Sequence, residues 1–118
     1  MSVFRAVSLD LHGALEALFA PALIAAPFLL GFGPATGAAS LALGAVLIGH
    51  ALSIQGERRA VPLSTHAAFD YVIASITILA GIVLGLVNGE PQATAFMAGF
   101  GAAHMALTAS TRFSVRGA

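Results

Sequence analysis

The stretch Leu9-Asp10-Leu11-His12-Gly13-Ala14-Leu15-Glu16-Ala17-Leu18 runs without a break into FAPALIAAPFLLGF, residues 19–32. A histidine and a glutamate four residues apart stack on one face of a helix, one turn above each other. In an otherwise apolar segment two ionisable groups on one face are expensive to bury, and they demand partners from elsewhere in the chain.

Composition says what surrounds them. Of the 118 residues 58% are hydrophobic and 8% charged, and the mean hydropathy is +0.95. A soluble domain carries about 25% charged residues, so this chain lacks the means to cover a globule with charge. It reads as an integral membrane protein, with the bilayer as its first partner and the bacterial inner membrane as its expected location. Four apolar runs, roughly 11–32, 36–54, 66–88 and 92–111, approach the ~20 residues a helix needs to cross the hydrocarbon. The connections GFGPATG, QGERRAVPLS and VNGEPQ are short and rich in Gly, Pro and charge, as turns at a membrane surface are. The expected fold is all-α, a four-helix transmembrane bundle in a single domain, residues 1–118.

Zero formal net charge argues against a nucleic-acid partner, and the absence of cysteine excludes thiolate ligands and disulfides. All the basic residues, Arg5, Arg58, Arg59, Arg112 and Arg116, fall at the two ends and in the central loop. By the positive-inside rule both termini and that loop are expected in the cytoplasm.

Offset by 54 residues, the sequence partly reproduces itself. Arg5, Ala6, Val7 and Leu9 recur as Arg59, Ala60, Val61 and Leu63, and Ala20, Ile24 and Gly31 recur as Ala74, Ile78 and Gly85. Each copy, 5–58 and 59–112, is a helical hairpin. With two crossings per copy, both enter from the same side, so a pseudo-twofold axis along the membrane normal is expected to relate them. A copy of the first helix deep in the chain also argues that the N-terminal run is not a cleaved signal.

The polar residues keep the offset: His12 pairs with His66, Glu16 with Asp70, and His50 with His104. HGALE is repeated as HAAFD. Counted from the arginines, the imidazoles lie at one depth, roughly 10 Å inward at ~1.5 Å per residue. Four helices thus converge six potential ligands on one layer. Ala95, Gly99 and Ala103 on the last helix, and Ser40 and Gly44 on the second, are small-residue ridges that permit close approach. Pro21 and Pro27 are expected to kink the first helix and free carbonyls for another helix to satisfy. Tyr71 sits about 100° round from Asp70 and falls outside the site.

At Leu23-Ile24-Ala25-Ala26-Pro27-Phe28-Leu29-Leu30-Gly31-Phe32 the first copy resembles the SPW repeat, a two-crossing bacterial membrane repeat named for a Ser-Pro-Trp tripeptide. Here the tripeptide position reads Ala26-Pro27-Phe28 and is followed by the apolar-apolar-Gly-Phe continuation; in the second copy it reads Ala80-Gly81-Ile82. The resemblance implies tandem membrane hairpins and carries no activity, and the histidines are not part of its motif.

Several chemistries fit the polar layer. As a metal centre, dinuclear or paired mononuclear, each repeat supplies two imidazoles and one carboxylate: His12, Glu16 and His50, then His66, Asp70 and His104. That is the facial triad of non-haem iron, which zinc also accepts, with manganese a further candidate. As a haem b site, His50 and His104, or else His12 and His66, would be the axial pair of an electron-transfer protein. As a structural device, His12 would pair with Glu16 and His66 with Asp70 while the other imidazoles bond carbonyls, in a homo-oligomer or a packing subunit of a larger membrane complex. Proton conduction lacks stepping stones, because helices 1, 2 and 4 carry no ionisable residue beyond the layer, and helix 3 has none between Asp70 and Glu90. No nucleophile with its base and no phosphate-cradling loop is present, so whether the chain is an enzyme stays open.

Overall fold

A computed structural model describes residues 5–54 and 62–113. Arg58, Arg59 and Arg116, and with them most of the charge pattern of the central loop and the C-terminus, lie outside the described residues. Within them the fold is all-helical: α1 (Leu9–Phe19), α2 (Pro21–Leu29), α3 (Pro34–Leu52), α4 (Leu63–Val87) and α5 (Pro91–Ala109). α1 and α2 run end to end through Ala20, as one interrupted span of 21 residues.

The interruption has the cause the sequence suggests. Pro21 opens α2, and Pro27 sits inside it with no N–H to give to Leu23, four residues back. The Ser40 hydroxyl of α3 donates to the Leu23 carbonyl at 2.6 Å instead. Ser8 starts α1 by accepting from the Leu11 N–H at 3.2 Å. The turn after α2 and the turn after α4 each contain a glycine at positive φ, Gly31 and Gly89, and α3 and α5 each begin on a proline.

α2 packs on α3, and α4 packs along the whole of α5. The second contact is close because glycines line it. A Cβ at Gly101 would lie 2.7 Å from the Ala74 carbonyl oxygen, and one at Gly81 would lie 2.6 Å from the Met97 Cβ. Gly44 performs the same service on α3, against Leu23 and Ile24. The expected close-approach ridge of Ala95, Gly99 and Ala103 does not form. Ala95, Gly99 and Ala103 are exposed, and nothing stands within 4 Å of a Cβ built on Gly99. The buried face of α5 is Ala93, Met97, Gly101, His104 and Thr108, because His104 must point inward and residues three, seven and eleven before it share its side.

Polarity is arranged inside out. The interior holds His12, Glu16, Ser40, His66, Asp70 and Thr77, with an apolar core of Ala20, Leu23, Leu47 and Ile73 beside them. The outside presents Leu18, Phe28, Leu29, Leu79, Leu86 and Val87, with Phe28 76% and Leu29 80% exposed. Water would penalise that surface, whereas hydrocarbon does not. Leu9–Leu29, Pro34–Leu52 and Leu63–Val87 are each long and apolar enough to cross a membrane. Pro91–Ala109 is as long as Pro34–Leu52, but Gln92, Thr94, His104 and Thr108 make it less apolar than the other three.

Both ends of the bundle are tied. At one, Glu90 accepts from the Gly33 N–H at 2.7 Å and from the Thr36 hydroxyl at 3.0 Å, so the turn before α5 caps the start of α3. At the other, Val7 lies beside Thr111 in a parallel bridge, which brings Arg5 and Arg112 to the same end.

Candidate metal centre

α1, α3, α4 and α5 each point histidine Nε2 atoms at a common centre, and α1 and α4 add the carboxylates. Asp70 meets all four imidazoles: His50 at 2.8 Å, His12 at 3.0 Å, His104 at 3.2 Å and His66 at 3.4 Å. Glu16 meets three, His104 at 2.7 Å and His12 and His66 both at 3.2 Å. His12, His66, Asp70 and Glu16 are buried to within 3% of completely. All six residues singled out in the sequence are therefore in one cluster, while Tyr71 is 40% exposed and outside it.

The grouping differs from the expected one. Neither triad stays within its own repeat: His12 is nearer to Asp70 of the other copy than to its helical neighbour Glu16, and His66 is nearer to Glu16 than to Asp70. α1 and α4, two crossings apart in the chain, run in the same direction, so each imidazole reaches the carboxylate of the opposite helix as well as the one a turn along its own. His12, Glu16, His66 and Asp70 form a group whose candidate ligand atoms all lie within 4.8 Å of one another.

The hydrogen bonds behind the rings assign their tautomers. The Thr111 hydroxyl donates its single proton to the Leu107 carbonyl at 2.6 Å, so toward His12 it can only accept, and His12 Nδ1–H donates to it at 2.8 Å. Ser53 repeats the logic, donating to the His50 carbonyl at 2.6 Å and accepting from His66 Nδ1–H at 3.2 Å. In neutral His12 and His66 the proton is thereby on Nδ1, and the bare Nε2 lone pairs face Glu16 Oε1 and Asp70 Oδ2. Four electron-rich atoms converge with no proton between them. Positive charge must fill the gap, either as a metal ion or as added protons on the rings or the carboxylates.

His50 and His104 stand differently. His50 Nε2 faces two acceptors, the His66 carbonyl at 3.1 Å and Asp70 Oδ1 at 2.8 Å, so it carries a proton and donates. His104 Nε2 reaches the far oxygen of Glu16 at 2.7 Å. These two rings hold the carboxylates from outside while His12 and His66 face their inner oxygens.

Sequence reasoning missed Thr111, Ser53 and Phe113, whose ring lies edge-on to His12 with centroids 5.2 Å apart. Their counterparts 54 residues away are Glu57, Leu107 and Arg59, so the repeat gives no signal for any of them. Comparison with family models, with curated proteins and with solved structures returns no match.

Proposed function

We propose that this is an integral membrane protein of two tandem hairpins that holds one divalent metal ion, iron, zinc or manganese, between His12, Glu16, His66 and Asp70. The observation that carries it is the convergence of the His12 and His66 Nε2 atoms on two carboxylate oxygens while hydroxyls hold both Nδ1 atoms. Their separations of 3.0 to 3.4 Å fit the edges of a coordination polyhedron. With metal–ligand bonds of about 2.0–2.2 Å, neighbouring ligands of a tetrahedral site stand about 3.4 Å apart and those of an octahedral site about 3 Å. A proton on Nε2 points at one oxygen, whereas an ion in the middle engages all four atoms. Two carboxylates and a divalent cation also sum to zero charge, which is what a site inside hydrocarbon requires.

His50 and His104 act as the outer hydrogen bonds that orient ligating carboxylates. A dinuclear centre is the second reading, favoured by His104 Nε2 at 2.7 Å from Glu16 Oε2 and 3.2 Å from Asp70 Oδ1, a second group of the same kind. Haem is disfavoured by the same geometry. The Nε2 atoms of His50 and His104 share one carboxylate oxygen where the iron would stand, and the His50 ring lies flat on His66 with centroids 3.6 Å apart.

Metal analysis and an absorption spectrum of the detergent-purified protein test this. About one ion per chain without a Soret band is expected; two ions per chain select the dinuclear centre, and a Soret band selects haem. Replacing both carboxylates, Glu16→Gln with Asp70→Asn, keeps size and hydrogen bonding but removes the charge, so the metal is expected to be lost while the bundle remains. Unchanged occupancy in that double variant overturns the assignment, and a metal-free wild type with full stability favours the structural pairing. The arginine pattern of the sequence supports cytoplasmic termini, so a reporter active only there is expected to work at the C-terminus; activity of a periplasmic reporter would reverse the orientation.

A further inference from the structure

A cavity of about 300 Å³ opens between α1 and α5. Its back wall is Leu47 of α3, its sides include Phe19 and Phe100, and Ala103 stands at its rim. At its inner end are Glu16 and His104. Phe19 is 54% exposed and Ala103 is exposed as well, so the mouth is on the flank of the bundle, not at an end. Flank residues of a membrane bundle face lipid, and the inference rests on that placement. It does not rest on the metal.

Three features define an occupant. The volume is about twice that of a ~150 Å³ cavity that takes benzene, enough for one ring with a short substituent. Two phenylalanine rings line it, which favours an aromatic guest. Among the described residues its polar lining is a carboxylate held by an imidazole, Glu16 with His104, and the remaining lone pairs of that carboxylate accept but do not donate, so the guest needs a neutral donor at one end. An acid would bring a second negative charge to Glu16, and a purely apolar guest would leave that acceptor unused. We infer that this pocket binds the hydroxyl-bearing ring of a lipid-soluble phenol or hydroquinone, entering sideways from the bilayer and donating its hydroxyl to Glu16 beside the metal centre. The site thus takes its ligand from the membrane and not from water.

The probe is 4-propylphenol, its binding to the purified full chain in lipid nanodiscs read by saturation-transfer NMR. Propylbenzene and octanoate serve as comparisons, and empty nanodiscs give the background from partitioning. Ala103→Phe fills the mouth without touching the metal ligands, and Leu107→Phe narrows it from another point on the wall. Saturable binding of propylphenol is expected, at least tenfold tighter than propylbenzene, and at least tenfold weaker in whichever of the two variants is monodisperse and helical. No saturable binding to wild type, equal binding of propylbenzene, preference for octanoate, or indifference to both filling variants each overturns the inference. Metal content is measured on the same samples. Metal present without phenol binding ends this inference alone, whereas phenol binding that Ala103→Phe abolishes in a metal-free protein supports the pocket and ends the metal reading.

Discussion

Between α3 and α4 the His50 ring lies flat on His66, with centroids 3.6 Å apart. Between α1 and α5, where the 54-residue offset offers His104 and His12 as the equivalent pair, no such stack forms and the helices stand around the 300 Å³ cavity. The ligand chemistry of the two seams is the same, so the difference comes from what ties them. His66 Nδ1 is tied to Ser53, three residues beyond His50; His12 Nδ1 is tied to Thr111, seven residues beyond His104. The second tether is a helical turn further along, so it joins the ends of α1 and α5 and leaves the level of the rings apart. A cluster can therefore keep the 54-residue offset while two small hydroxyl residues without an equivalent at that offset distinguish its flanks.

The largest expected effect breaks the near-symmetry of the carboxylates. Because the closed seam gives His50 to Asp70, Asp70 meets four imidazoles and Glu16 three. Asp70→Asn is expected to weaken metal binding beyond the ~10–100-fold typical of losing an outer hydrogen bond, and Glu16→Gln to weaken it less. Chelator competition on each single variant measures both, and equal losses would show that the seams do not differ energetically.

Next in size are the tethers. Thr111→Val and Ser53→Ala each free the Nδ1 proton, so the ring is no longer held in the tautomer that bares Nε2. A loss of about 10–100-fold in metal affinity is expected from each, with helix content unchanged. An unaltered affinity in both would remove the tautomer assignment.

Packing differences between the hairpins come third. Gly101→Ala places a methyl 2.7 Å from the Ala74 carbonyl oxygen and is expected to cost about 1–3 kcal/mol in thermal or denaturant unfolding. Gly99→Ala meets nothing within 4 Å and is expected to be neutral or stabilising by about 0.4–1 kcal/mol. Reversed signs would mean that α5 turns its other face to α4.

The smallest effect concerns the interrupted helix. Ser40→Ala leaves the Leu23 carbonyl without its donor and is expected to cost about 1 kcal/mol. In a Pro27→Ala background, where the helix supplies its own N–H, the same change is expected to cost nearly nothing. A double-mutant cycle reads the coupling, and additive losses would detach Ser40 from the proline.

Much of this was legible in residue order. The runs beginning near residues 11, 36, 66 and 92 became helices beginning at Leu9, Pro34, Leu63 and Pro91, one to three residues earlier, because prolines and a serine cap start them. The proline break in the first span, the buried Ser40 and Gly44, and the clustering of six ionisable residues all follow from local chemistry plus the cost of burying charge. The ridge of Ala95, Gly99 and Ala103 misled, since spacing alone identifies a small-residue stripe without saying which way it faces. His104, expected in the inner layer from the sequence, fixes that direction and puts Gly101, Met97 and Ala93 on the buried face instead.

The sequence by itself determined that the chain is helical and apolar outside, and that His12, Glu16, His50, His66, Asp70 and His104 share a layer, because periodicity, span length and repeat offset are properties of residue order. Tertiary structure alone decided that His12 and His66 face both carboxylates while His50 and His104 hold them from behind, that Thr111 and Ser53 bare two nitrogens, and that one seam is open. Those outcomes depend on which groups on different helices meet, from 13 residues apart in Ser53–His66 to 99 in His12–Thr111, and no local rule encodes such contacts.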